Sequence, residues 1–310
     1  CFFLPRFKAD GALNAIRIQR LKDKLGNRSN ASSEVEFHEA RATLLGEEGR
    51  GVQTILEMGV YTRLDCALGT AGLMHQALAQ ALWNAAQRSA FGKLLKDQPL
   101  MKNVLADLAL ESEAATALGL RLARAYDAQA DAHDQLLRRV LTPAAKFWVC
   151  KRGAHFAQEA MEAIGGNGYV EESVLPRIYR EMPLNSIWEG AGNVMCLDVL
   201  RALRKQDAVD AVVTELDTAN GSHAAYDHFC VSLKDRLANA NEFESAARRL
   251  TQDIALTMQA SLLARHAPRF VFDAFVESRL GSDWSGAFGT LSPQAPFDPL
   301  IKRSMPTQHA

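Results

Sequence analysis

Two spacings of apolar positions divide the chain. Over residues 1–47, short runs such as CFFLPR, NAIRIQRL and SEVEFHEARATLL alternate apolar and polar side chains between Gly, Asn and Ser punctuation. That period of two predicts strands. Strands this short cannot enclose a core alone, so they read as the tail of a sheet domain in a chain entered midway. From Gly51 the period lengthens. Met74, Leu78 and Leu82, flanked by Ala77, Ala81 and Ala85, mark one face of a helix. Further helices are predicted over about 98–130 and about 133–164, the second closed by Gly165-Gly166. A fourth opens at Glu189-Gly190, past a break at Pro183. Four long amphipathic helices on short connections predict an antiparallel bundle.

Beyond Lys205 helical patterns continue through AAYDHFCVSLKDRLANA and EFESAARRLTQDIALTMQASLLARHA. The last stretch, SGAFGTLSPQAPFDPLIKRSMPTQHA, is rich in Gly, Pro and Ser and reads as loop or frayed tail. The expected fold is mainly α. Residues 1–48 would end a β-domain, 49–204 form the bundle, and 205–310 form a helical extension.

Composition narrows the class. Of 310 residues, 48% are hydrophobic and 23% charged, which fits an ordinary globular protein. Charges interrupt every apolar run well short of a membrane span. Five scattered cysteines without CxxC spacing point to a reducing, cytoplasmic setting, and with no HExxH present no metal site is expected.

Three stretches carry candidate chemistry. In QRSAFGKLLKDQ, Arg88, Phe91 and Gln98 supply a cation, an aromatic face and an amide, types that suit a dinucleotide. They equally fit a solvated arginine at a helix end. In EAIGGNGYVEES, Gly165 and Gly166 free the backbone for close ligand approach, or simply cap a helix. In YREMPLNSIWEGAGN, Glu189 follows Ile187-Trp188. Half-desolvation there would raise its carboxyl pKa and suit a general base, although a helix start favours the anion. A glutamate serving only that helix fits as well.

In this order and spacing the three stretches resemble the C-terminal half of the acyl-CoA dehydrogenase family. There, Arg-x-x-Phe-Gly, Gly-Gly-x-Gly-Tyr and Tyr-Arg-[Asp/Glu]…Ile-[Tyr/Trp]-Glu-Gly segments recur. The resemblance covers residues 1 to about 204. Within the family, RLKDKLGNRSNASSEVEF, PAAKFWVCKRG, YREMPLNSIWEG and NVMCLDVLR are most similar to the AidB-like, alkylation-response branch.

The resemblance implies a β-domain followed by a four-helix bundle that holds FAD, in a homotetramer. Glu189 matches the base that removes the α-proton of an acyl-CoA thioester while the β-hydride passes to the flavin. The thioester carbonyl is stabilised by the base's backbone N–H and a ribityl hydroxyl. Arg88 matches the arginine that reaches FAD phosphates across a subunit interface. The stretch Ile187, Trp188, Gly190, Ala191, Gly192, Asn193 and Leu197 matches the flavin-binding segment, and Arg63 a basic position near the acyl-CoA. Several positions depart from the family pattern. Thr62 stands where the isovaleryl branch places its base, which leaves Glu189 as the candidate. Ala191 replaces a threonine, Gln98 falls one residue early, and Glu162 stands where many members carry glutamine. Together they imply retained FAD binding with weak, isovaleryl-CoA-like turnover.

The AidB-like branch also implies binding of double-stranded DNA through the extension, for which Arg201, Arg248 and Arg249 are the candidates. Duplex binding needs a cationic face. Residues 206–310 hold nine Lys/Arg against thirteen Asp/Glu, a net charge of −4, so any such face is local. The alternative is a dehydrogenase with a structural extension.

Overall fold

The computed structural model describes residues 1–239, 244–281 and 286–306. They fall into two compact units, Cys1–Arg63 and Leu64–Ala310.

The first unit carries four short strands, β1 (Phe2–Phe3), β2 (Ile16–Leu21), β3 (Ser33–Phe37) and β4 (Thr43–Leu44). β1 pairs antiparallel with β4 and β2 with β3. Of residues 1–63 only Asn14 is buried. Its amide donates to the carbonyls of Pro5 and Arg41, 2.8 Å each, and its oxygen accepts from the Arg41 N–H at 2.9 Å. Phe2, Phe3, Ile18, Leu21, Val35 and Phe37 are all exposed. Asn14 thus ties the segments around Pro5 and Arg41 together.

Helix α1 (Gly51–Gln87) runs on into the second unit. Met74, Ala77, Leu78, Ala81, Leu82 and Ala85 are all buried, the face that the period predicts. A two-stranded hairpin, β5 (Ser89–Ala90) and β6 (Lys93–Leu94), leads to α2 (Pro99–Arg124). This helix ends six residues before the sequence pattern does. Ala125 closes it with bonds to the carbonyls of Leu122 and Ala123, and the Tyr126 hydroxyl pairs with Thr142 at 2.8 Å, holding the turn.

Asp131 then caps α3 (Ala132–Ile164), accepting from the Asp134 N–H at 2.8 Å. Helix α3 packs against both α2 and α5 (Leu175–Asn185), which follows the short α4 (Gly166–Tyr169). Pro183 does not break the chain as expected; it lies in the last turn of α5, where its missing N–H costs a single helical bond. Gly153 lets α1, α3 and α5 meet. A Cβ there would lie 2.5 Å from Thr70 Cγ2 and 2.8 Å from Met182 Sδ.

After α6 (Gly192–Leu203) come α7 (Gln206–Asp217), α8 (Ala224–Ala238), α9 (Ala247–His266) and α10 (Arg269–Arg279). Helix α9 packs against α2, α3, α6, α7, α8 and α10, and polar Thr251, Thr257, Gln259 and Ser261 are buried along with its apolar residues. The tail departs from expectation. Residues 286–306 include α11 (Phe297–Ser304), which packs on α2 with Leu300 and Ile301 buried. Two apolar neighbours in eight residues give too short a period to stand out among prolines. The last four residues of the predicted tail lie outside the described residues.

Two buried ion clusters join α7–α10 to α2 and α3. Arg279 of α10 pairs with Asp107 and, at 3.1 Å, with Glu111, which Arg152 reaches at 3.3 Å. Asp107 also accepts the Gly289 N–H at 2.9 Å. In the second cluster Glu215 of α7 meets Arg121 at 2.8 Å, Arg265 at 2.7 Å and His133 at 3.2 Å. Burial pushes the Glu215 carboxyl up, but hydrogen bonds from Arg121 and Arg265 outweigh it and hold the pKa at about 2.

Candidate active site

Residues 186–191 connect α5 to α6 by a reversal of backbone hand. The N–H groups of Ile187 and Trp188 both bond the Leu184 carbonyl, at 2.8 and 3.0 Å, and wind up the end of α5. Glu189 then takes φ +58° and Gly190 φ +110°. A non-glycine residue in the left-handed region costs about 1–2 kcal/mol. Something must hold it, and the buried Lys146 of α3 does so by donating from Nζ to the Gly190 carbonyl at 2.9 Å. Lys146 was missed from sequence; its signal was one cation in the apolar run PAAKFWVC.

Glu189 itself is exposed, so the desolvation anticipated from Ile187-Trp188 is absent. Its surroundings are polar underneath. The Trp188 side chain hydrogen-bonds Cys66, whose thiol is pushed up by burial, pulled down by Lys146 and Trp188, and pushed up by Glu189. Thr70 donates to the Cys66 carbonyl at 2.7 Å and accepts from Asn185 at 3.0 Å. Burial drives the neighbouring Cys150 thiol up to about 12, so it stays protonated and inert. The floor under the Glu189 loop is therefore rigid, and the loop above it is exposed.

The flavin-segment candidates divide by exposure. Gly192 is buried, and a Cβ on it would meet Lys151 Cε at 3.0 Å and Phe147 Cε2 at 3.4 Å. Ala191 N-caps α6 without a side-chain bond, as loss of the family threonine requires. Ile187 (62% exposed), Trp188, Val194 and Leu197 face outward. An apolar stripe left open beside a carboxylate fits the face of a planar ring system.

Arg88 and Phe91 sit on the β5–β6 hairpin. Phe91 and Gly92 form its two-residue turn at φ +51° and +76°, which places the Phe91 ring in solvent, 99% exposed. Arg88 is exposed at the hairpin's base. Gln98 donates to the Ala90 carbonyl at 2.8 Å, so its amide braces the hairpin. Gly165 caps α3 at φ +82°, and no atom would obstruct a Cβ at Gly165 or Gly166. Arg63, half-buried on α1, belongs to the first unit.

The three DNA candidates already have partners. Arg201 pairs with Asp198, and Arg249 with Asp253 at 3.0 Å, where Arg236 joins it. Arg248 donates to Asn193 Oδ1 at 2.8 Å and lies 5.3 Å over the Phe147 ring. A residue expected on DNA and one expected on flavin thus meet. Arg204 and Lys205, by contrast, are exposed and have no ion pair among the described residues.

Residues 49–204 match the family model described as acyl-CoA dehydrogenase, C-terminal domain. AidB of Escherichia coli (strain K12) is 52% identical over 268 residues, covering 86% of this chain and 49% of that protein. The structure of Caenorhabditis elegans ACDH-11 in complex with C11-CoA superposes with a TM-score of 0.79 at 25% identity, over 99% of this chain and 54% of that one. The apo form of Bd2924 gives 0.77 at 34% identity, over 84% and 52%. The chain spans about half the length of these relatives. Among the described residues no helix is long and apolar enough to cross a membrane.

Proposed function

The chain belongs to the acyl-CoA dehydrogenase family, in its AidB-like branch, and from that premise we propose that it contributes the proton-abstracting half of a FAD-dependent acyl-CoA dehydrogenase site. The observation that carries the reading is Glu189, exposed on a left-handed turn within an apolar stripe and held from below by Lys146.

FAD bound beside this loop would supply the acceptor for the β-hydride of the thioester. Glu189 takes the α-proton on its carboxylate. Lys146 fixes the Gly190 carbonyl, so the turn cannot flip while the proton moves. Ile187, Trp188 and Leu197 offer apolar area to the ring and keep water from it. Gly192 keeps α6 close to Phe147 and Lys151, and Arg248 orients Asn193 at the first turn of α6. The extension, in this reading, is a brace for the flavin segment. Arg88 and Phe91, on a hairpin pointed into solvent, suit contact with the cofactor of a second subunit in a homotetramer. The five free cysteines suit a reducing, cytoplasmic setting.

A second reading, double-stranded DNA binding in the alkylation response, is favoured by Arg204 and Lys205. They stand exposed just past the end of α6, near Arg201, which would have to give up Asp198 to join them. Arg248 and Arg249 would have to give up Asn193 and Asp253 to do so.

The visible spectrum of the full-length protein tests the first reading, and a mobility-shift series tests the second. Bound FAD that bleaches with isovaleryl-CoA is the expected result; protein that takes up no FAD overturns the first reading. Duplex DNA is then titrated in a mobility-shift series over salt concentration. If Arg204→Glu with Lys205→Glu leaves affinity and salt slope unchanged, the pair does not bind phosphate, since each lost contact removes roughly 0.9 from that slope.

A further inference from the structure

On α1, α2, α9 and α11 lies a cavity of about 660 Å³ that shares no lining residue with the Glu189 loop. Its size falls within the range of roughly 300–1,000 Å³ typical of small-molecule sites. On α2 the lining residues Thr116, Leu120 and Arg124 recur every fourth residue and so share one face. Leu262 and Leu263 of α9 add apolar wall.

The polar lining is biased toward cations. Arg124, with His75 of α1 and His266 of α9, makes no side-chain hydrogen bond or ion pair among the described residues. Arg121 is committed to Glu215 and Asp134. The lining carboxylate, Glu113, is committed to Arg303 at 2.9 Å. What remains without a protein partner is one guanidinium and two imidazoles, all exposed at the open side of the cavity, beside leucines. Glu113 and Arg124 stand eleven residues apart on α2, about 16 Å at 1.5 Å per residue, the reach of a medium-to-long acyl chain.

We propose that this cavity binds a single-chain carboxylate amphiphile of the fatty-acid class, its head group on Arg124 and its chain along Leu120, Leu262 and Leu263. A carboxylate satisfies the guanidinium with charge-assisted bonds that a neutral or cationic head cannot make. Because α9 and α11 supply about a third of the walls, the ligand also bridges the extension to α1 and α2. Occupancy therefore raises the melting temperature, whether or not FAD is bound.

Calorimetric titration of the full-length protein with dodecanoate, below its micellar concentration, tests this, with dodecylammonium as the control of opposite charge. The expected result is saturable binding of dodecanoate near one per chain, with none of dodecylammonium. Arg124→Glu should weaken it roughly tenfold or more. Thr116→Trp, at an exposed position, should block it by filling the cavity. Absence of saturable binding overturns the proposal. Equal affinity in both variants also overturns it, since the fatty acid then sits elsewhere, the Glu189 loop included. A shift in sedimentation caused by either variant without ligand overturns it too, by showing that the groove is an interface between copies.

Discussion

The loop that carries Glu189 and the seam that joins α7–α10 to α2 and α3 use charge in opposite ways. At the seam the carboxylates are buried and answered by arginines, as in Asp107 and Glu111 with Arg279, or Glu215 with Arg121 and Arg265. In the loop a carboxylate sits exposed on strained backbone, among exposed apolar side chains. Seam residues would be chosen for cohesion. Strained backbone beside exposed apolar surface is the pattern that the proposed ligand site would need.

The comparison breaks hardest at Arg279. Arg279→Leu leaves Asp107 and Glu111 with a deficit of buried positive charge, and denaturant unfolding should show a loss of about 3–5 kcal/mol. A loss below 1 kcal/mol would mean that the seam is not where cohesion resides.

Acid attacks the same seam through Glu215. Its folded pKa, about 2, lies below that of an ordinary carboxyl. The stability it contributes is therefore present above the unfolded pKa and disappears as pH falls from near 5 toward 2. The shift corresponds to about 3 kcal/mol. Unfolding midpoints followed across that window should fall for the wild type. Glu215→Gln, weaker already at neutral pH, should show a flatter decline.

Glu189→Gly sharpens the other side of the comparison and has the smallest effect on stability. Glycine adopts φ +58° without penalty, so the variant should gain up to about 1 kcal/mol while losing its carboxylate. A destabilised variant would show that Glu189 serves the fold.

Much of this contrast was legible in the sequence, unevenly. The apolar face of α1 and the C-terminal end of α3 follow from period and capping, because leucine and alanine spacing and a terminal glycine act locally. Glu189 drew notice through its neighbours Ile187, Trp188 and Gly190 and was assigned a role by the family resemblance. Its exposure was not, since that depends on how the turn sets the backbone. Lys146 escaped, and Arg248 was read as a DNA contact and not as a partner of Asn193, because each acts across the chain, 44 and 55 residues from its partner. The helix α11 was hidden by prolines that place it at a surface groove of α2.

The most direct test follows flavin reduction in the Glu189→Gln variant of the full-length protein. Stopped-flow bleaching by isovaleryl-CoA should fall by a factor of at least about 10² relative to wild type, with FAD content and melting temperature unchanged. Bleaching at the wild-type rate would contradict the account, because the acid held on the turn between α5 and α6 would then have no part in the chemistry.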